Sequence, residues 1–224
     1  MNANSLSTAT KDMKEMKDSR NARPFVIAIG GPSGSGKSSL VYRIVSLLGD
    51  AMTLFFDDYA SVSTYPSDFG AWIRDGAKPD EWKTPRLAVD LAALRQGQPI
   101  LPPDGAARRE SARYIVIEEP FGRERQEMRD LIDLVAIVDL PLEVALARRI
   151  RRNIQSGLHD SAASIECLQS LDQFLNAYLD GPLREGYIAI NRVALKTSDV
   201  VLDGMKPIDE LADQVVQAVR ARTR

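Results

Sequence analysis

The sequence predicts an α/β fold in which a five-stranded, mostly parallel sheet carries helices on both faces. Three observations point there. Short apolar runs recur at 25–29, 52–56, 114–117, 135–138 and 200–202, and helical spacing fills the stretches between them. Runs apolar at successive positions suit strands covered on both sides, as in sheets built with crossover helices. A Gly-rich loop follows the first run directly and opens the first helical stretch.

Phe25–Ile29 reads as a buried first strand. The next segment, Gly31-Pro32-Ser33-Gly34-Ser35-Gly36-Lys37-Ser38, fits G-x-x-x-x-G-K-[ST] at every specified position. Its glycines let consecutive N–H groups turn into one concavity sized for a phosphate. Lys37 supplies a charge for β- and γ-phosphates, Ser38 offers a hydroxyl to Mg²⁺, and the following helix directs its partially positive end at the same oxygens. Leu40, Val41, Ile44, Leu47 and Leu48 continue that helix until Gly49 stops it. The nucleotide is therefore expected on Gly31, Ser33, Gly34, Ser35, Gly36, Lys37, Ser38 and Ser39. The fold is expected to be a P-loop NTPase three-layer α/β/α sandwich.

Met52–Phe56 reads as the second strand, ending at Asp57 and Asp58. Thr84-Pro85 supplies an N-cap and first-turn proline for a helix through Leu87, Leu91 and Leu94, closed by Gly97. Tyr114–Ile117 is the third strand, ending at Glu118-Glu119, and Val135–Val138 the fourth, followed by Asp139. A helix from about Pro141 carries Leu142, Val144, Ala145, Leu146 and Ile150, with Arg148, Arg149, Arg151 and Arg152 towards its end; Ile165–Leu179 is a further helical stretch. Val200–Leu202 is the fifth strand, and a last helix presents Ile208, Leu211, Val215 and Val219. Ligands of such sheets bind beyond the strands' carboxyl ends, so the loop, Asp57, Asp58 and Glu118 can meet in one crevice.

The bulk properties narrow the classes. A chain of 224 residues, 44% hydrophobic, can bury one substantial core. Its net charge of -2 gives no overall basic field for nucleic acid or anionic membrane, and no apolar run has the length of a membrane span. The single cysteine, Cys167, suits a reducing compartment, so a cytoplasmic protein is expected. Residues 1–23 read as a mobile tail without the apolar core of a secretory signal, and 24–224 as one domain.

The order of features resembles the uridine kinase and phosphoribulokinase family of P-loop small-molecule kinases. Gly30–Ser39 resembles the family's loop, and Phe56-Asp57-Asp58-Tyr59 its Asp-Asp-Phe-Tyr element. Trp82-Lys83-Thr84-Pro85, running through Ala88-Val89-Asp90 to Gly97-Gln98-Pro99-Ile100, resembles its proline-opened helix and turn. Ile117-Glu118-Glu119 resembles its strand-end Glu-Gly, with Glu119 in place of the glycine. Val138-Asp139-Leu140-Pro141 through Arg148–Arg152 resembles the segment entering its mobile lid, which implies that 24–224 is a single P-loop kinase domain with a helical lid at about 148–163. Two departures, Leu101–Ala106 after the Gly-x-Pro-Ile turn and Ser156-Gly157-Leu158-His159 beyond the lid helix, fall where the acceptor is recognised. The resemblance thus extends to phosphate chemistry and leaves the acceptor open.

The resemblance implies ATP and Mg²⁺ as cofactors and a small-molecule hydroxyl as acceptor, nucleoside or sugar-like. It makes Asp57 the base, although strand-end aspartates also cap turns. Whether Asp58 shares that task stays open. Glu118 is a candidate for orienting Mg²⁺-bound water or an acceptor hydroxyl, so Ser38, Asp57 and Glu118 form the expected metal side. Arg149 and Arg152 share a helix face that can aim guanidinium groups at phosphates, where charge runs are otherwise solvated. With Lys37 they complete the expected catalytic set. His159 reads as a loop residue, Cys167 as packing, and Trp72 and Trp82 as flanking either an acceptor pocket or simple core. A homo-oligomer is allowed. The competing reading is a nucleotide-driven switch, ATPase or regulatory module, but neither the Asn-Lys-x-Asp of GTPase switches nor the Leu-Ser-Gly-Gly of transporter ATPases occurs.

Overall fold

The computed structural model describes residues 23–103, 105, 107–159 and 164–223. Most of the expected tail, residues 160–163 of the expected lid, Asp104 and Ala106 lie outside the described residues. The chain runs β1 (Phe25–Gly30), α1 (Lys37–Leu48), β2 (Ala51–Leu54), a 3-10 helix (Phe56–Val62), α2 (Phe69–Arg74), a 3-10 turn (Pro79–Glu81) and α3 (Pro85–Arg95). Then come β3 (Tyr114–Glu118), α4 (Gln126–Arg129), β4 (Leu134–Asp139), α5 (Leu142–His159), α6 (Ser164–Leu179), α7 (Leu183–Leu195), β5 (Val200–Asp203) and α8 (Ile208–Arg222).

All five strands are parallel, in the order β2-β3-β1-β4-β5. Alternation along β1 divides the interior into two layers, because successive side chains leave a strand on opposite faces. Val26 and Ala28 meet Leu87, Leu91 and Leu94 of α3 on one face. Ile27 and Ile29 meet Leu40, Val41 and Ile44 of α1 and Leu211, Val215 and Val219 of α8 on the other. Each such fully buried aliphatic side chain contributes about 1.5–3 kcal/mol relative to exposure. The result is the three-layer α/β/α sandwich expected. The register Ile29↔Glu118 and Leu54↔Ile117 brings the ends of β1, β2 and β3 to one edge of the sheet.

The structure corrects three local expectations and adds one helix. Strand β2 ends at Leu54, and Phe56 begins a 3-10 helix that carries Asp57 and Asp58 in its first turn. Three residues per turn place Phe56 and Tyr59 on one side, and both are buried; two apolar residues that continue a strand by pattern here serve the core as a helix. Thr84 stands at the N-cap of α3 without capping it, because its hydroxyl lies against Glu127 Oε1 at 3.0 Å and Arg125 Nη1 at 2.6 Å. His159 is the last residue of α5 and not a loop residue. Helix α7 escapes the pattern reading, because its place depends on a distant contact: a Cβ on Gly186 would meet the Phe69 ring at 2.2 Å.

Helices α5, α6 and α7 share a small apolar cluster of their own. Leu171, Phe174 and Tyr178 pack with Leu146, Ile150, Leu183 and Tyr187, apart from the two sheet cores. Cys167 is half-buried on α6. Among the described residues no helix is long and apolar enough to cross a membrane.

Candidate active site

The loop from Gly31 to Gly36 joins the buried end of β1 to α1. Gly34 has φ 90°, and a Cβ there would lie 2.2 Å from the Ala145 carbonyl oxygen, so the loop can rest on α5 only with glycine. Gly36 has φ 92°, and a Cβ there would meet nothing within 4 Å; open space lies in front of the first turn of α1. That turn has no side-chain cap and no acidic residue, so its free N–H groups and the helix dipole face this space unneutralised. The buried Ser35 Oγ lacks a partner. A cradle of unpaired donors with room above it fits a chain of phosphates.

Lys37 donates to the Pro32 carbonyl at 3.2 Å. Burial pulls its pKa below the usual lysine value, the carboxylates of Glu118 and Asp57 pull it back up, and Arg152 and Arg149 push it down. Glu118, Asp57, Arg152 and Arg149 thus all lie within electrostatic reach of Lys37. Ser38 Oγ donates to Glu118 Oε1 at 2.6 Å, a contact between residues 80 positions apart. Glu118 is only 8% exposed. A hydroxyl and a carboxylate side by side are hard oxygen donors of the kind that hold Mg²⁺, which takes few protein ligands and completes its shell with phosphates and water. No group of three or more His, Cys, Asp or Glu suited to a metal occurs among the described residues.

Asp57 is exposed, and its carboxylate makes no hydrogen bond or ion pair among the described residues. It does not cap the turn it occupies. Asp58, by contrast, pairs with Arg109 at 3.5 Å. The two aspartates therefore differ in engagement: Asp58 is paired and Asp57 is not. Tyr65 and Tyr187, whose hydroxyls burial holds above the usual tyrosine pKa, both lie within the influence of Asp57.

Arg149 Nη1 donates to Ser33 Oγ, and its guanidinium lies 3.9 Å from the centroid of the Phe174 ring, a cation–π contact. Tyr187 also hydrogen-bonds to Ser33. The arginine Nε is buried without a partner. Arg152 is exposed yet close enough to act on Lys37. Arg148 turns elsewhere, both its terminal nitrogens reaching the Gly204 carbonyl at 3.2 Å. Of the basic run on α5, Arg149 thus touches the loop and Arg152 lies within electrostatic reach of its lysine.

Trp72 is buried, and its indole N–H donates to the Lys78 carbonyl at 2.9 Å, so it belongs to packing. Trp82 sits at the centre of rings contributed by Phe56, Tyr65, Phe69, Trp72 and Phe121, at centroid distances of 5.0–6.5 Å. Its buried Nε1 has no partner. Pattern reading missed Tyr187, Phe174 and Arg125, because nothing local distinguishes an aromatic on a packed helix or an arginine in a polar turn. Glu119 carried a usable signal, since an acid directly behind an apolar strand needs a buried cation.

No family model matches the chain. Among curated proteins, it is 26% identical over 194 residues to the uridine kinase of Chlamydia pneumoniae, across 80% of this chain and 82% of that protein. It is 30% identical over 149 residues to the uridine kinase of Deinococcus deserti, across 60% of this chain and 71% of that protein. The chain belongs to the uridine kinase family. Against the uridine kinase of Saccharomyces cerevisiae the alignment takes in 99% of this chain at 24% identity and spans only 46% of the yeast protein's length. A solved shikimate kinase from Aquifex aeolicus overlaps with a TM-score of 0.43 at 14% identity, over 88% of this chain and 98% of that one, a likeness too low to bear on chemistry. The family is one of P-loop kinases, phosphotransferases with an alcohol group as acceptor, and the three curated relatives carry the name of a kinase for one particular nucleoside.

Proposed function

We propose that this protein is an ATP-dependent kinase that transfers the γ-phosphoryl group to a hydroxyl of a small, nucleoside or sugar-like metabolite. The observation that carries the reading is the 2.6 Å bond between Ser38 of the loop and Glu118 at the end of β3, with Asp57 exposed and within electrostatic reach of Lys37. Binding a nucleotide needs only the loop; transfer requires in addition an unengaged carboxylate and an acid bonded to the loop hydroxyl.

The residues divide the work by position. Loop N–H groups and the start of α1 hold the β- and γ-phosphates, and Lys37 shares their charge. Ser38 and Glu118 would hold Mg²⁺, which when bound supplies further charge neutralisation between the phosphates. Asp57 accepts the proton of the acceptor hydroxyl as that oxygen turns nucleophilic. Arg149 and Arg152, carried by α5, bring two more cations to the side of the loop facing the lid, where negative charge grows on the transferring group. Trp82 and Tyr65 wall the acceptor side near Asp57.

The named relatives make uridine the first acceptor to try, while the Leu101–Ala106 and Ser156–His159 segments differ from the family pattern where acceptors are recognised. The test is ADP formation from Mg-ATP against uridine, cytidine, vitamins, pentose phosphates and glycerate. Strong stimulation by one compound supports the kinase reading and names its substrate. Equal ADP formation with and without every compound would replace it by an ATPase or switch.

A further inference from the structure

Behind the metal side of the site lies an ion pair sealed from solvent. The side chains of Glu119 and Arg125 are both 0% exposed, joined by Arg125 Nε to Oε1 at 3.1 Å and Nη2 to Oε2 at 2.5 Å. The remaining Arg125 nitrogen, Nη1, donates to the Trp82 carbonyl at 3.0 Å, to Thr84 Oγ1 at 2.6 Å and to Glu127 Oε1 at 2.8 Å. The guanidinium also lies 5.5 Å from the centroid of Phe56, the residue before Asp57. Glu119 Oε1 accepts from the Phe121 N–H at 3.1 Å, and the Glu119 N–H donates to the Ile29 carbonyl at 3.1 Å.

We propose that Glu119 and Arg125 are positioning residues that fix the aim of Glu118 at the Ser38 hydroxyl and tie the acceptor wall to it. Successive side chains of extended chain point to opposite faces. With Glu119 held down towards Arg125 by two bonds, and its N–H held by β1, Glu118 has one direction left, up towards the loop. The same guanidinium reaches the Trp82–Thr84 segment and the ring of Phe56, the chain neighbour of Asp57. Its planar fork lets one residue set the metal side, the base and the acceptor wall in a single geometry, which an ammonium group cannot do. Stability does not require it, because a buried ion pair is often no more stabilising than apolar residues of equal volume. The glycine that the family pattern places after the strand-end glutamate has no side chain to be held, so this device belongs to a chain with an acid at that position.

The inference rests on the kinase reading, and the experiment separates the two. Calorimetric titration of ATP, with and without Mg²⁺, is run on the parent protein, on the Glu119→Leu/Arg125→Met double variant and on Arg125→Lys, beside thermal unfolding of each. Apolar replacement of both partners keeps the interior filled, and Arg125→Lys keeps the charge near Glu119 should the double variant not fold. Expected is Mg²⁺-free ATP affinity within about twofold of the parent in both variants, with the tightening by Mg²⁺ reduced roughly tenfold, as when an outer partner of a metal ligand is lost. A purely structural pair would lower the melting temperature and leave the Mg²⁺ response intact. Parent-like Mg²⁺ tightening in the folded variants overturns the inference and leaves the kinase reading standing. Absence of any Mg²⁺ effect in the parent also overturns it, and failure of the parent to bind ATP removes both.

Discussion

Replacing Lys37 by methionine should raise the stability of the nucleotide-free protein while removing its ability to bind ATP. The lysine is half-buried and engaged with one carbonyl at 3.2 Å; burial is the largest influence on it and lowers its pKa from 10.5. A base whose folded pKa lies below its unfolded value makes an unfavourable contribution to folding. That contribution is full below the folded pKa, shrinks as pH rises, and vanishes above 10.5. At neutral pH methionine, of similar length and without charge, relieves it. Each 1 kcal/mol relieved shifts the melting temperature of a chain of this size by about 2–4 °C. On the nucleotide side, a lysine serving two phosphate oxygens makes two charge-assisted bonds of about 1.5–3 kcal/mol each, so affinity should fall by roughly 10²–10⁴-fold. The assay is thermal unfolding of both proteins with and without Mg-ATP. In the parent, nucleotide at about 100 times its Kd adds about 2.7 kcal/mol and moves the transition up by several degrees. The variant should start higher and not move. A variant that melts several degrees lower without nucleotide, or keeps the parental ATP-induced shift, would refute the reasoning that this lysine is held at a cost for a phosphate.

Three further outcomes follow from the geometry. Asp57→Asn should lower turnover by about 10²-fold or more with ATP affinity nearly unchanged, because the side chain is exposed and bonded to nothing that holds the fold; steady-state kinetics beside calorimetry decides, and a parental rate would exclude it as the base. Replacing Arg149 and Arg152 together by alanine should depress turnover far more than ATP binding, since their contacts strengthen towards the transition state; equal losses in both would make them simple nucleotide ligands. Asp199 gives a pH signature: burial raises its pKa, but hydrogen bonds from Arg222, Arg123 and the Val135 N–H outweigh this and hold it at about 2 instead of 3.8. A depressed carboxylate stabilises above its unfolded pKa and loses that contribution as pH falls. Asp199→Asn should therefore cost about 2 kcal/mol at neutral pH in denaturant titrations, with the gap closing between about pH 4 and 2; a gap that stays constant through that range would contradict it.

The loop was legible because its chemistry is local. Eight contiguous residues supply the bend, the cation, the hydroxyl and the helix start, and no distant contact is needed to recognise them. The strands were legible for a related reason: burial on both faces forces apolar residues at every position, and the pattern survives in the linear chain. The sequence also singled out Asp57 and Glu118 as acids that follow apolar runs, and Arg149 and Arg152 as sharing one helix face. What it left open were relations between residues far apart. That Ser38 meets Glu118 depends on β3 lying beside β1, a pairing between segments about 90 residues apart. That Asp58 is engaged with Arg109 and Asp57 is not depends on a 3-10 turn set by the burial of Phe56 and Tyr59. Helix α7, which brings Tyr187 to Ser33, owes its position to Gly186 against Phe69. Glu119 read as a flaw in a motif, and only its buried contact with Arg125 gave it a part. Local pattern fixes which groups the chain owns; the burial of charge and the approach of distant segments decide which of them face one another, because those energies exist only once the sheet has closed.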